Sequence, residues 1–151
     1  MALYQLSLKG RALRLLGQRE HSRFELERKL RQHETEPGEL VRALDDLQAK
    51  GFISEQRVLE SVVFRRAPRL GALRVRQELQ AKGLAPEAIS QAVAELKGSE
   101  VERAREVWRK KFGEPAQDAQ GRAKQIRFLS ARGFGAETIH RVVQGGFGDD
   151  F

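Results

Sequence analysis

The amino-acid sequence predicts an all-α protein built from three tandem helical repeats, and three observations support this prediction. Apolar residues recur at steps of three and four positions, as in Leu40, Leu44 and Leu47, which is the spacing of one helix face. Sustained alternation of apolar and polar residues, the pattern of a strand, is absent. Helix start and stop signals recur along the chain, and its three parts resemble one another.

The repeats emerge when the sequence is compared with itself. The segment Gly71–Leu84 aligns without a gap with Gly121–Phe134, which lies 50 positions later. A shift of 49 positions places Pro37 on Pro86 and brings in the first third of the chain. Self-similarity at a fixed period indicates a repeat architecture. The predicted repeats are 1–53, 54–98 and 99–151, the last with a short flexible C-terminal tail.

Each repeat is predicted to contain three helices. The apolar spacing and its interruptions place them near 3–19, 22–33 and 37–50, then 55–67, 71–82 and 86–97, then 99–112, 119–132 and 136–144. A three-helix unit of this size buries little surface alone, so neighbouring units are expected to lean on one another in an elongated array.

Helix starts are predicted from capping signals. Ser22 and Ser99 each precede a Glu by three positions, the capping-box pattern in which two orphan backbone donors are satisfied reciprocally. Pro37 and Pro86 fit the first helical turn, where the missing N–H of proline costs nothing.

Helix ends are predicted from glycine. Gly51, Gly83 and Gly133 each follow Lys or Arg and precede Phe or Leu. This pattern is typical of a left-handed helix stop, with an apolar residue folding back on the last turn.

Composition excludes several classes of protein. The chain has 151 residues, 40% of them hydrophobic, and no cysteine. It therefore has enough apolar material for a core, but it cannot form a disulfide framework or a thiolate metal site. Neither a long apolar run nor a signal-peptide pattern is present, so we expect a cytoplasmic protein without a membrane partner.

No catalytic constellation is found. The three histidines, His21, His33 and His140, are scattered and do not have the spacing of metal ligands. Asp45 and Asp46 are adjacent on a predicted helix, where neighbouring side chains point apart. The other acidic pair, 149–150, lies in the glycine-rich tail. We expect a protein that is not an enzyme and that needs no cofactor.

The charge indicates an anionic partner. Lys and Arg number 28 against 21 Asp and Glu, a formal net charge of +7. A basic excess favours nucleic acid, an acidic membrane surface or an acidic protein face. The excess is spread over all three repeats, so the chain has no basic tail. The alternative is a solvated helical surface whose Arg stems cover the helix flanks.

Three basic clusters are candidates for a binding surface. They lie within 65–76, 103–111 and 122–132, and the first and third occupy corresponding places in adjacent repeats. Equivalent cations in successive repeats would form a stripe that follows a phosphate backbone or an acidic groove. The predicted binding surface comprises Arg65, Arg66, Arg69, Arg74, Arg76, Lys82, Arg122, Lys124, Arg127 and Arg132. The aromatic residues, Phe24, Phe52, Phe64, Phe112, Phe128 and Trp108 among them, are expected to pack in the core rather than to stack on bases.

Three segments of the chain are SRFELERKL at 22–30, LQAKGFISE at 47–55 and GALRVRQELQAKGL at 71–84. They resemble motifs of the RecX regulatory family, the bacterial modulators of the RecA recombinase. The resemblance covers nearly the full length and is weakest after Phe134. The sequence departs from the family pattern at Ser54–Glu55 and at Arg69–Leu70–Gly71, near the border of the first and second repeats.

The resemblance implies three three-helix repeats in an elongated, curved array. It also implies binding to the RecA–DNA filament, with inhibition of filament extension, ATPase, strand exchange and coprotease activity in recombination, DNA repair and the SOS response. DNA is then an accessory partner, and the chain is expected to be a monomer. Two alternatives stay open: an independent helical-repeat DNA-binding protein, and a scaffold for an acidic protein.

Overall fold

Helices account for all the regular structure in residues 5–145, the part of the chain that the computed structural model describes. The predicted all-α class is thus confirmed, with nine α-helices in this part and no strand. The helices are α1 (Leu8–Gln18), α2 (Arg23–Leu30), α3 (Glu39–Ala49), α4 (Glu55–Arg66), α5 (Ala72–Ala81), α6 (Pro86–Lys97), α7 (Glu100–Lys111), α8 (Ala119–Ala131) and α9 (Ala136–Gly145). None of the described helices is long and apolar enough to cross a membrane.

The predicted capping box forms at Ser22 but not at Ser99, although α7 does begin directly after Ser99. The Ser22 hydroxyl accepts a hydrogen bond from the Glu25 N–H at 3.1 Å, and a Glu25 carboxylate oxygen accepts one from the Ser22 N–H at 2.9 Å. The Ser99 hydroxyl instead donates to the Leu96 carbonyl at 3.3 Å. Only two residues separate α6 from α7, so this hydroxyl serves the end of the preceding helix and the predicted capping box is wrong.

The two prolines also differ. Pro86 is the first residue of α6, as predicted. Pro37 lies before α3, because Gly38 between them has φ of 85°, and this left-handed residue interrupts the helical backbone. The first helix is shorter than expected because Ser7 caps it. The Ser7 hydroxyl accepts the Gly10 N–H at 3.0 Å, and α1 begins at Leu8.

The predicted glycine stops are confirmed. Gly51, Gly83 and Gly133 have φ values of 85°, 72° and 91°, which only glycine adopts without strain. The apolar residues that follow the last two, Leu84 and Phe134, are buried.

Several aromatic residues are not in the core, contrary to the prediction. Trp108 is buried, but Phe24, Phe52 and Phe64 are 41%, 47% and 82% exposed. Phe64 lies two positions after buried Val62 on α4, and two positions turn a helix by about 200°. Whether an apolar side chain faces the core or solvent therefore depends on its position around the helix.

The described chain forms two compact units. Unit 1 contains 5–61 and 81–84, and unit 2 contains 62–80 and 85–145. The middle triplet of helices is thus divided between the units, and the predicted repeat limits stay a prediction. In unit 1, α1, α2 and α3 enclose a core of Leu8, Ala12, Leu26, Leu30, Leu40, Ala43, Leu44, Leu47 and Ile53. In unit 2, α7, α8 and α9 enclose Ala104, Val107, Trp108, Leu129, Phe134, Ile139, Val142 and Val143. The predicted flexible tail and the acidic pair at 149–150 lie outside the described residues.

Candidate functional site

Unit 2 contains a cleft with cationic walls and an apolar floor. Its volume is about 290 Å³. The turn that follows α4, helix α7 and helix α8 line it with Pro68, Arg69, Glu106, Val107, Lys110, Lys111, Phe128 and Arg132. On α7, Glu106 and Lys110 are one helical turn apart, as are Val107 and Lys111. Phe128 of α8 lies one turn before Arg132, the residue that follows this helix, so each helix presents one edge to the cleft.

Phe128 contacts two of the cations that line this cleft. The guanidinium carbon of Arg132 lies 4.7 Å from the centroid of the Phe128 ring, and the ammonium of Lys111 lies 5.5 Å from it. Phe112 packs edge-on against the same ring, with centroids 5.4 Å apart. Cation–π attraction therefore holds two positive groups beside one aromatic ring.

The charges of the cleft are not balanced. Four lining residues are cations, and the one lining acid, Glu106, is paired with Arg109. None of the four cations has a carboxylate partner within residues 5–145. A concave surface with one uncompensated sign of charge attracts the opposite ion.

The two helices that form the cleft walls are fixed by a buried polar link. The Trp108 indole N–H donates to the side-chain oxygen of Gln125 at 3.0 Å, and both residues are buried. The Gln125 amide nitrogen donates in turn to the Glu114 carbonyl at 3.0 Å. Since a buried polar group left unpaired is costly, this link holds α7 and α8 in one arrangement.

The segment after α4, which carries Pro68 and Arg69, forms the third wall of the cleft. Backbone hydrogen bonds hold it to the end of α8. The Gly71 N–H donates to the Arg132 carbonyl at 2.8 Å, and the Leu73 N–H donates to the Gly133 carbonyl at 3.1 Å. A Cβ atom on Gly71 would lie 2.3 Å from the Gly133 oxygen. Only glycine permits this approach, which brings Arg69 and Arg132 to the same cleft.

Glu100 and Arg103, near the start of α7, anchor the neighbouring segments of unit 2 on this helix. The buried Glu100 carboxylate accepts the Ala72 N–H at 3.2 Å and the Gly135 N–H at 3.0 Å, and so binds the starts of α5 and α9. Arg103 donates to the carbonyls of Ala67 and Leu70, each at 2.8 Å. Burial lowers the pKa of the Arg103 guanidinium, and the nearby Glu100 opposes this shift. The segment that carries Arg69 is therefore anchored on α7.

Intramolecular contacts involve predicted binding residues, among them Arg66, Arg74, Arg132 and Lys82. Arg66 pairs with Glu78 at 2.9 Å, and Arg74 donates to the Ala131 carbonyl at 2.6 Å. Arg132 lies against Phe128. Lys82 belongs to unit 1, where it pairs with Glu25 at 3.0 Å with its side chain only 12% exposed.

The other predicted residues are in unit 2. Arg69 lines the cleft. Lys124 precedes Phe128 by one helical turn and so shares its face of α8, whereas Arg122 and Arg127 are exposed on other sides of that helix. Arg65 is exposed on α4, and Arg76 is half-buried on α5. That these residues bind a partner stays a prediction.

Sequence reasoning missed part of the cleft. Lys110 and Lys111 belonged to a recognised basic cluster but were not included in the predicted surface. Phe128 packs against the core of unit 2, as predicted, but it also lines the cleft. Glu100 carried no signal beyond its place at a helix start. Within the described residues, no group of three or more potential ligands could hold a metal ion.

Family comparison covers each helical triplet. The family model described as "RecX, first three-helix domain" matches residues 9–47, the second three-helix domain matches 54–93 and the third matches 99–143. The chain belongs to the RecX family. The suspected resemblance is thus confirmed, and so are three three-helix domains.

Individual RecX proteins are similar over almost the whole chain. "Regulatory protein RecX" of Leptothrix cholodnii is 52% identical over 140 residues, which are 93% of this chain and 89% of that protein. The protein of the same name from Herminiimonas arsenicoxydans is 50% identical over 144 residues, 95% of this chain and 93% of that protein. These RecX relatives are named as regulatory proteins.

Solved RecX structures share the fold. The crystal structure of RecX from Lactobacillus salivarius superposes with a TM-score of 0.73 and 19% identity, over 91% of this chain and 92% of that chain. A second crystal structure of a regulatory protein RecX gives the same TM-score and covers 71% of that chain. The RecX fold is therefore retained at low sequence identity.

Proposed function

We propose that this RecX family member binds the filament that the RecA recombinase forms on DNA. It inhibits filament extension, ATPase, strand exchange and coprotease activity, and so acts in recombination, DNA repair and the SOS response in the cytoplasm. It acts as a monomer and performs no chemistry of its own. Membership of the RecX family supports the regulatory part of this proposal.

The observation that carries the choice of partner is the unbalanced charge of unit 2. Arg69, Lys110, Lys111 and Arg132 line one cleft without a carboxylate partner in the described residues. Lys124 and Arg127 add exposed positive charge on α8. A filament of DNA coated with protein is a long anionic body, and a cationic face binds such a body with a strong dependence on salt.

The test measures the ATPase of preformed RecA–DNA filaments. Addition of the wild-type chain is expected to slow ATP hydrolysis at amounts near one chain per recombinase or below. The triple variant Arg69→Glu, Lys124→Glu, Arg127→Glu is expected to need at least about tenfold more protein, since three phosphate or carboxylate contacts are reversed.

A matched control carries the same change of charge in unit 1. Arg14, Arg31 and Arg42 are exposed there, and their triple substitution by Glu is expected to inhibit nearly as well as the wild type. Equal inhibition by both triple variants would place the filament contact elsewhere. No inhibition by saturating wild-type protein would overturn the proposed function.

The second candidate function is independent DNA binding, which the same unpaired cations favour. It predicts tight binding to DNA without recombinase, with a steep salt dependence. It also predicts that added competitor DNA relieves the inhibition of the ATPase. Micromolar or weaker affinity at physiological salt would make DNA an accessory partner.

A further inference from the structure

The cleft around Phe128 has features that a general basic surface does not need. A surface that attracts a polyanion requires only exposed cations. Here the cations surround an apolar floor of Pro68, Val107 and Phe128. A ligand that satisfies both parts must combine negative charge with a flat or apolar group.

The position of Arg132 against Phe128 indicates which flat group the ligand carries. Its guanidinium carbon lies 4.7 Å from the centroid of the Phe128 ring, so the ring holds the side chain in place. Arginine planes and aromatic rings are the surfaces on which proteins stack unpaired nucleobases. Lys110 and Lys111, on the opposite helix, both line the cleft and offer ammonium groups for phosphate.

The volume of the cleft favours an unpaired base over a paired base as its ligand. A volume of about 290 Å³ suits one nucleoside phosphate but not a base pair inside a duplex. A base in a duplex is also stacked on both faces and so is not available to this cleft. An acidic peptide would satisfy the cations but would leave the stacking surface unused.

From these features we infer that the cleft of unit 2 binds one unpaired nucleoside phosphate, with its base against Arg132 and Phe128 and its phosphate between Lys110, Lys111 and Arg69. The ligand is either one nucleotide of a single strand or a free nucleotide. This inference concerns a defined site within unit 2 and does not depend on the recombinase.

The experiment uses the full chain without recombinase and measures fluorescence anisotropy of a labelled ten-residue oligo(dT). The wild type is expected to bind this strand at least about fivefold more tightly than a duplex of the same length. The double variant Lys110→Glu, Lys111→Glu is expected to lose at least about tenfold in affinity. Its salt slope should fall by about 0.7, since the cations that neutralise one single-strand phosphate are removed.

A matched control reverses two cations outside the cleft. Arg14 and Arg42 are exposed in unit 1, and their double substitution by Glu gives the same net charge. This control is expected to lose less than about threefold, because it changes the general field but not the site.

The role of the ring is tested without a change of charge. Phe128→Leu is expected to weaken oligo(dT) binding about fivefold, because it removes the ring that holds Arg132. Phe128→Tyr is expected to retain binding, because a tyrosine ring still attracts the guanidinium. Helical circular dichroism and the unfolding midpoint identify any variant that fails to fold. The lysine variants, at exposed positions, test the site independently of the core.

Competition experiments with labelled oligo(dT) distinguish a nucleotide of a single strand from a free nucleotide. Displacement of the strand by millimolar ATP indicates a site for free nucleotides, whereas binding of the strand alone indicates a unit of nucleic acid, and either result supports the inference. Wild-type affinity in both Phe128→Leu and the lysine double variant would overturn it. Displacement by an aspartate-rich decapeptide as potent as oligo(dT) would also overturn it. Neither outcome changes the expected result of the filament ATPase test.

Discussion

The turn Lys82–Gly83 in unit 1 and the turn Arg132–Gly133 in unit 2 occupy equivalent places, 50 positions apart in the repeat. Each ends a helix with a left-handed glycine. Each lies against the start of a helix from the preceding repeat, at Ser22 in unit 1 and at Gly71 in unit 2. Positions 22 and 71 are themselves equivalent, since they differ by 49.

Side chains hold the turn in unit 1. The Ser22 hydroxyl donates to the Lys82 carbonyl at 2.6 Å, and the Lys82 ammonium pairs with Glu25 at 3.0 Å. Burial tends to raise the pKa of Glu25, but hydrogen bonds from Arg19, the Ser22 N–H and Lys82 lower it to about 2.

Backbone groups hold the turn in unit 2. The N–H groups of Gly71 and Leu73 donate to the carbonyls of Arg132 and Gly133. One repeated backbone arrangement is thus stabilised by titratable side chains in one unit and by close backbone approach in the other. The first should respond to pH, and the second to any added Cβ atom.

The largest expected effect is the exchange of residues between equivalent positions. Gly71→Ser introduces the residue that unit 1 carries at position 22, and its Cβ would lie 2.3 Å from the Gly133 oxygen. Because the Gly133 backbone cannot move away as a flexible side chain could, we expect a loss of about 3 kcal/mol in the free energy of unfolding. Urea denaturation measures the loss, and hydrogen exchange of amides 72–76 locates it.

The reciprocal variant, Ser22→Gly, removes a cap and one hydrogen bond without a clash. We expect a smaller loss of about 1 kcal/mol. Equal losses in the two variants would show that the two turns are not held differently.

The next effect concerns pH. Glu25→Gln is expected to cost about 2 to 3 kcal/mol at pH 7, because a pKa near 2 against the ordinary value of 4.5 stabilises the folded state by that order. A carboxyl whose folded pKa is depressed stabilises the fold above its unfolded pKa and ceases to do so as pH falls through its folded pKa. The difference between wild type and variant should therefore shrink by more than half at pH 3. Urea midpoints at the two pH values measure it.

His21 should add to the acid sensitivity of unit 1. Burial is the largest cause of its lowered pKa, and the neighbouring Arg19 and Lys29 charges act in the same direction. The ring donates from Nδ1 to the Arg19 carbonyl at 3.0 Å and accepts from Lys29 at Nε2, 3.1 Å away, so its neutral form fits this site. Its contribution is present above pH 6.5 and is lost as pH falls below that value. A Glu25→Gln difference that is unchanged at pH 3 would contradict the assignment of the acid sensitivity to Glu25.

The smallest expected effect is the removal of a side chain from the turn in unit 2. Arg74→Met deletes the bond to the Ala131 carbonyl, and we expect a loss of about 0.5 to 1 kcal/mol. This loss should be unchanged in 1 M salt, because it involves no ion pair. The loss in Lys82→Met, which breaks the pair with Glu25, should decrease in 1 M salt. Thermal unfolding at low and high salt distinguishes the two, and equal salt dependence would contradict the comparison.

The helices were predictable because their signals are local. Eight of the nine α-helices begin within two residues of the predicted start, and the exception, α1, begins later because Ser7 caps it. The errors at Ser99 and Pro37 arose where a short connection or a left-handed glycine changed the role of a residue that has the expected type.

The candidate site was only partly predictable. The sequence shows where cations are dense, and Arg69 and Arg132 do meet in the cleft. It does not show that Arg66 forms a salt bridge with Glu78, or that Lys82 forms one with Glu25. The charge of a residue is a local property, whereas its availability to a partner depends on its neighbours in space.

The sequence by itself determined the all-α class, the positions of the helices, the glycine stops and the RecX resemblance, because these depend on residues within a few turns of one another. Tertiary structure decided which cations stay unpaired and where they gather around Phe128. Lys82 meets Glu25, and Arg74 meets Ala131, across 57 positions in each case. No local pattern encodes contacts at such separations, since they form only when helices from different repeats pack together.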